Sequence, residues 1–293
     1  MGSESVTVAD VDLSMKQPPD IPAVDAAPPE LLESGHLWIL ESVVGAPLRF
    51  RLAESGAIEF GDSDRSYADA DDLPPQYRHA VRHVRTTLDR EALRAAVDVP
   101  SEIVFFGTAM QYQGLDYDWE RTPSFLGTDI WSAATEQFRP PDAVDGIFRR
   151  LGLEPINPLD QELPARDFAP DRYEIPQSAW YEGPAAGIVI RDKQGHRASR
   201  SNPAVEVDSS PPDFVPETAD ELAARLGADS RLRRLVDDAP QPPTADQLFE
   251  RTLDAALREL DPRAFEPTGS VDRRAFRSAL AAQTQEFIQN TGV

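Results

Sequence analysis

The chain contains no cysteine, so disulfides and thiolate-bound metals are excluded. Lysine is almost absent as well: Lys16 and Lys193 are the only two, and every other basic residue is arginine. No run approaches the ~18 apolar residues of a membrane span, and the N-terminus lacks the basic, apolar pattern of a secretory signal. The expectation is a cytoplasmic protein with no membrane contact. Histidine is sparse. His79 and His83 are four apart on a predicted helix, but no Glu follows in the HExxH manner, so they read as a helix surface pair and not as metal ligands.

What the chain has in abundance is acid. Its 51 Asp and Glu against 29 Lys and Arg leave a net charge of −22 over 293 residues. Such a surface repels nucleic acid phosphates. It also fits a halophile, because at molar salt the Debye length falls to about 3 Å and screens the self-repulsion. The second explanation removes most of what charge says about ligands.

Residues 1–30 are acidic and rich in Pro and Ala without apolar periodicity, and read as a disordered arm. Residues 36–60 read as a hairpin, with Glu54-Ser55-Gly56 turning the chain into Ile58–Phe60. Tyr77, Val81, Val84 and Leu88 fall at helical spacing between 74 and 97. Strands are predicted at 102–107, 126–131 and 186–191, and a helix at 141–151 stopped by Gly152. This irregular alternation predicts an α+β fold of twisted antiparallel sheets over 31–207. Residues 208–216 read as a linker. From 217 to 293 the pattern is helical only, with capping-box signatures at Thr218/Glu221 and Thr244/Gln247 opening apolar runs.

Five segments in order resemble the motifs of the covalent nucleotidyltransferases, the polynucleotide ligases and mRNA capping enzymes. Glu41-Ser42-Val43-Val44-Gly45 is similar to Glu-Lys-x-Asp-Gly, Phe106-Gly107-Thr108 to Phe-Gly-Glu, and Phe125 to Ile130 to Phe-x-x-Phe-Asp-Ile. Ala186-Gly187-Ile188-Val189-Ile190 is similar to Glu-Gly-Val-Val-Ile, and Arg197-Ala198-Ser199 to a segment ending in a phosphate-binding lysine. The chain is identified as an RNA-ligase-like protein of haloarchaeal type, the likeness covering about 36–200. Its helical tail resembles that of some archaeal RNA ligases.

The resemblance implies a nucleotide groove lined by Glu41, Ser42, Val44, Gly45, Thr108, Phe125, Asp129, Ala186, Gly187 and Ser199. It also implies that catalysis is lost. Ser42 stands for the lysine that attacks the α-phosphate of ATP, and Thr108 for the ribose-binding glutamate. Val44 and Ala186 replace acids, that of Ala186 being a metal ligand, and Ser199 replaces a cation. A serine needs an adjacent base and yields a phosphodiester too stable to pass AMP onward. Two losses of about 3 kcal/mol each would slow the reaction roughly ten-thousandfold. Arg49, Arg65, Arg191 and Arg197 are candidate phosphate contacts. Arg49 and Arg51 have a second reading, as solvent-facing partners of Glu54 or Glu59. The aromatic loop 111–119 either stacks on single-stranded bases or caps a core.

The leading expectation is a catalytically inactive binding member, without cofactor or metal, whose partner is RNA or an active paralogue, with dimerisation through the helical tail. One alternative is an active ATP-dependent RNA ligase using ATP and Mg²⁺ with an unrecognised nucleophile. The other is an unrelated halophilic α+β protein. A shared phosphate site requires Ser42 and Ser199 to lie within roughly 15 Å of each other.

Overall fold

Strand β1 (His36–Ser42) is apolar on both sides: Leu37 and Ile39 point one way, Trp38 and Leu40 the other. Such a strand must be covered on both faces. The computed structural model, which describes residues 15–67, 69, 72–207, 218–239, 241–265 and 271–292, places it inside a sheet. β1 lies between β8 (Pro158–Pro164) and β9 (Gly187–Arg191), and β10 (Arg197–Ser201) closes the far edge. A second sheet runs in the order β4 (Ser66–Tyr67), β3 (Ile58–Gly61), β2 (Ala46–Leu52), β5 (Ile103–Ala109), β6 (Phe125–Ser132), β7 (Gln137–Phe138). Neighbouring strands of both sheets pair antiparallel.

The hairpin expected over 36–60 is displaced by one strand. β1 and β2 enter different sheets, and the hairpin is β2–β3, turned at Gly56 with φ +83°. Residues 43–45 are therefore a crossing between sheets. Gly45 is required there, since a Cβ would sit 2.6 Å from Thr108 Cγ2 and 2.7 Å from the Ala109 carbonyl oxygen.

Helices α2 (Arg78–Thr87), α3 (Arg90–Ala96) and α4 (Pro141–Arg150) cover the outer face of the second sheet, after the single turn α1 (Glu30–Glu33). Phe50, Phe60, Phe105, Phe125 and Phe148 meet beneath them, Phe50 stacking on Phe105 at 4.9 Å. Helical spacing over 74–97 gives two helices: Asp89 interrupts it and caps α3 by accepting from the Glu91 and Ala92 amides.

The helical region comprises α5 (Ala219–Leu226), α6 (Asp229–Asp237), α7 (Ala245–Glu259) and α8 (Arg273–Thr291). Both capping boxes form as the sequence indicates. Leu222, Leu226, Leu253, Phe276 and Leu280 make its core. It docks on the sheet region through α7, whose Asp254 pairs with Arg82 and whose Arg258 donates to the carbonyls of Met110, Thr122 and Pro123. The linker expected at 208–216 lies outside the described residues.

The expectation of a disordered arm over 1–30 needs correction. Residues 1–14 lie outside the described residues, but residues 15–30 are placed by specific contacts. Met15 is buried against Val104 and Phe106, and the Pro22 carbonyl accepts the Ser199 amide at 2.8 Å along the edge of β10. The reason is composition read too broadly: one methionine and an open strand edge supply contacts that hydropathy averages conceal.

Candidate functional site

The strand registers decide which side chains face each other. Ser42 lies opposite Gly187, which lies opposite Ser201. Val189 and Arg191 therefore share a face with Leu40 and Trp38, and Ser199 and Arg197 share it too. At ordinary strand spacing Ser42 and Ser199 are about 12 Å apart, inside the 15 Å limit. From the second sheet, Thr108, Phe106, Asp129 and Arg49 face the same space. The two sheets thus enclose a groove whose cavity, about 220 Å³, is bordered by Ser42, Thr108 and Asp129.

Asp129 organises the floor. Its carboxylate, 4% exposed, pairs with Arg191 at 2.8 Å and Arg197 at 3.1 Å. Arg191 also donates to the carbonyls of Thr128 and Arg139, and Arg197 lies over the Phe138 ring at 4.9 Å. Burial lowers the Arg191 pKa, while Asp129 opposes that shift. Asp192, also buried, adds a second negative charge that acts on Arg191, and the arginine donors are directed at protein acceptors.

Arg49 is buried nearby. It donates to the Lys16 carbonyl and to Gln17 Oε1 at 2.6 Å, while its Nε has no partner. Arg51 instead pairs with Glu59 at 2.6 Å, as its second reading expected, whereas Arg49 is buried and held by protein acceptors. Arg65 is exposed, stacked on Tyr67, and does not border the cavity.

Other expected positions are spread more widely. The Glu41 carboxylate points away from the groove face, accepting from Asn157, Ser178 and the Ala179 amide. Phe125 belongs to the core on the far face of β6, edge-on to Phe50 at 5.6 Å, because alternation sends Leu126 toward the groove. Val44 donates its amide to the Tyr117 hydroxyl at 2.7 Å. Ala186 lies beyond the strand, its carbonyl accepting from Asn202, and does not border the cavity. The Ser199 hydroxyl, like its amide, donates to Pro22. The loop 111–119 caps a core: Leu115, Tyr117 and Trp119 pack with Met110 and Tyr181.

Two features escape a reading of the sequence. Pro18, Pro19 and Ile21 border the cavity on the side of the arm. His79, expected on the helix surface, is buried on the face of α2 turned toward α7, where burial and the nearby Arg258 charge hold its pKa well below 6.5. His79 follows the helical face of Ala80 and Val84 only if a second body covers that side, which no local pattern announces.

No protein-family model matches the chain, and no curated protein matches it. Among solved structures, a Naegleria gruberi RNA ligase mutant with ATP and Mn is similar at TM-score 0.50 and 13% identity, over 65% of this chain and 57% of that one. A second Naegleria gruberi RNA ligase mutant, apo, matches at 0.50 and 15%, over 65% and 56%. An archaeal ATP-dependent RNA ligase matches at 0.47 and 15%, over 95% and 67%. The fold is the RNA-ligase-like nucleotidyltransferase fold, and the chain spans little more than half the length of the Naegleria ligases.

Proposed function

We propose that this RNA-ligase-fold chain does not transfer nucleotides and acts as a cytoplasmic binding member, with RNA or an active paralogue as its partner. The observation that carries the reading is the state of the carboxylates around the cavity. Three acidic residues border it, and none presents a free carboxylate: Glu41 turns its own away to Ser178 and Asn157, Asp129 is held by two arginines, and Asp62 by the Tyr67 hydroxyl and the Asp64 and Arg65 amides. The donor set does not fit a catalytic Mg²⁺, which takes carboxylate oxygens together with substrate phosphates. Nor does it activate Ser42, whose hydroxyl meets no base among the described residues. A cavity of about 220 Å³ is also below the ~300–1,000 Å³ of ligand sites.

The test is incubation of the full chain with α-labelled ATP and Mg²⁺ or Mn²⁺ at high salt. The expected result is no covalent adduct and no joining of a 5′-phosphorylated RNA to a 3′-hydroxyl end. A transferable nucleotide adduct on any residue would overturn the proposal.

One observation favours the enzymatic reading. Lys16, placed by sequence in a disordered arm, is anchored beside the groove by its carbonyl, which accepts from Arg49; its exposed Nζ lies 5.3 Å from the centre of the Trp131 ring, outside the cavity lining. Lys193 instead pairs with Asp142 and Glu162 in a turn. An adduct lost in Lys16→Ala would establish that reading.

A further inference from the structure

A second cavity lies apart from the groove, where α2 and the loop at residues 119–124 face α6 and α7. Its volume, about 560 Å³, is within the range of small-molecule sites. In a chain of net charge −22 its wall holds five arginines, Arg82, Arg231, Arg234, Arg251 and Arg258. Three are matched by carboxylates: Arg82 by Asp254, Arg231 by Glu259, and Arg234 by Glu120. Arg258 is held by backbone carbonyls and by the face of Trp119, neither of which cancels its charge. Arg251, half-buried, makes no hydrogen bond or ion pair among the described residues; Arg82 repels it and Asp238 attracts it.

The hydrogen-bonding groups point to the same vacancy of charge. His79 is 7% exposed; the Gln111 side chain is near enough to act on its ring, but neither ring nitrogen has a partner of hydrogen-bonding geometry. His83 Nε2 also lacks one. Burial and Arg258 keep both imidazoles neutral at pH 7, so each retains one N–H to donate. Among acceptors, Asp254 Oδ1 has no donor. Gln111 Oε1, beside His79 but outside the cavity wall, also lacks a donor; buried polar groups are normally paired, so the open donors with the one open acceptor on the wall define its complement. That complement is an anion rich in acceptor oxygens that also carries a hydroxyl. Trp119, half-buried at the same wall, offers an aromatic surface beside it.

We propose that this cleft binds a hydroxyl-bearing phosphate monoester: a free nucleotide or the 5′-phosphorylated end of a ribonucleotide strand. Arg251, His79 and His83 take the phosphate, and Asp254 takes a hydroxyl. The site is independent of the groove, so its failure would leave the proposed function untouched.

Calorimetric titration of the full chain tests it with AMP, adenosine, and a short oligoribonucleotide carrying either a 5′-phosphate or a 5′-hydroxyl. The phosphorylated member of at least one pair binds at least about tenfold more tightly than its dephosphorylated form, the yield of one charge-assisted contact. The pair that does so identifies the source. Arg251→Ala weakens binding by about tenfold or more. Asp238→Asn, which removes the opposing acid, tightens it. Both variants should keep the melting temperature of the parent, since Arg251 is only half-buried, Asp238 is exposed, and neither holds an ion pair among the described residues. Of the four imidazole signals in nitrogen-15 spectra, those of His79 and His83 shift on binding and those of His36 and His196 do not. No binding in either pair, equal affinity with and without phosphate, or affinity unchanged in Arg251→Ala would overturn the proposal.

Discussion

Asp129 shows how one residue can be legible by place and illegible by role. Its position in a strand facing the groove follows from the Phe125 to Ile130 segment. Its two arginine partners are 62 and 68 residues away in sequence, and only the pairing of β9 with β10 brings them together. Removing one member of a buried charge cluster is costly because the others stay buried. Asp129→Ala is therefore expected to destabilise the chain by about 3–5 kcal/mol, measured by urea denaturation. Gly107 carries a steric prediction. A Cβ there would meet the Leu126 carbonyl oxygen and the Phe125 ring at 2.3 Å. Gly107→Ala should lower the urea midpoint by the equivalent of about 1–3 kcal/mol, the range of overpacking. Phe125 departs from its expected place for a simple reason: alternation fixes which residues share a face, but not which face meets the groove.

At the scale of elements, the core strands and capped helices are readable because their signals are local. β8 and β10 are not readable as strands, since PLDQELP and RASRS carry little apolar pattern and gain their order from β1 and β9. The arm is the same case. Deleting residues 1–22 should leave the sheets folded but free the Ser199 amide, whose hydrogen exchange is expected to quicken by more than about tenfold. Unchanged exchange would mean that the Pro22 contact is not formed in solution.

The α2–α7 contact carries a pH dependence. The His83 pKa falls to about 4, mainly through burial and then through the Arg258 charge. Because this folded value is below the unfolded one, the contribution of His83 is present above pH 6.5 and is lost as pH falls toward 4. It amounts to at most roughly 3 kcal/mol. Asp254, pushed up to about 6 by burial, acts with the opposite sign and favours the fold as pH falls through 6. His83→Gln should therefore flatten the loss of stability on acidification from pH 7 to pH 4, read from urea midpoints. A steeper loss in the variant would contradict the assignment.

Over the whole molecule, charge sets the response to solvent. A net −22 on one chain opposes compaction, and salt screens that repulsion. The melting temperature should rise between 0.1 M and 2 M KCl, and a flat profile would remove self-repulsion as a factor. The α+β class and the helices α5 to α8 are legible because they rest on periodicity. The packing of that tail against α2 is not, since it depends on Arg258 and Asp254 meeting partners far away in sequence.

The central place of β1 has a consequence for the order of events during synthesis. Its partners β8 and β9 lie more than a hundred residues downstream. At ribosomal speeds β1 waits on the order of ten seconds for them. Through that interval Leu37 to Leu40 offers apolar side chains on both faces and two open edges, the features that favour association between chains. Refolding yield should then fall with protein concentration, and the strand that anchors the finished groove is also the one most exposed to a stray partner before it closes.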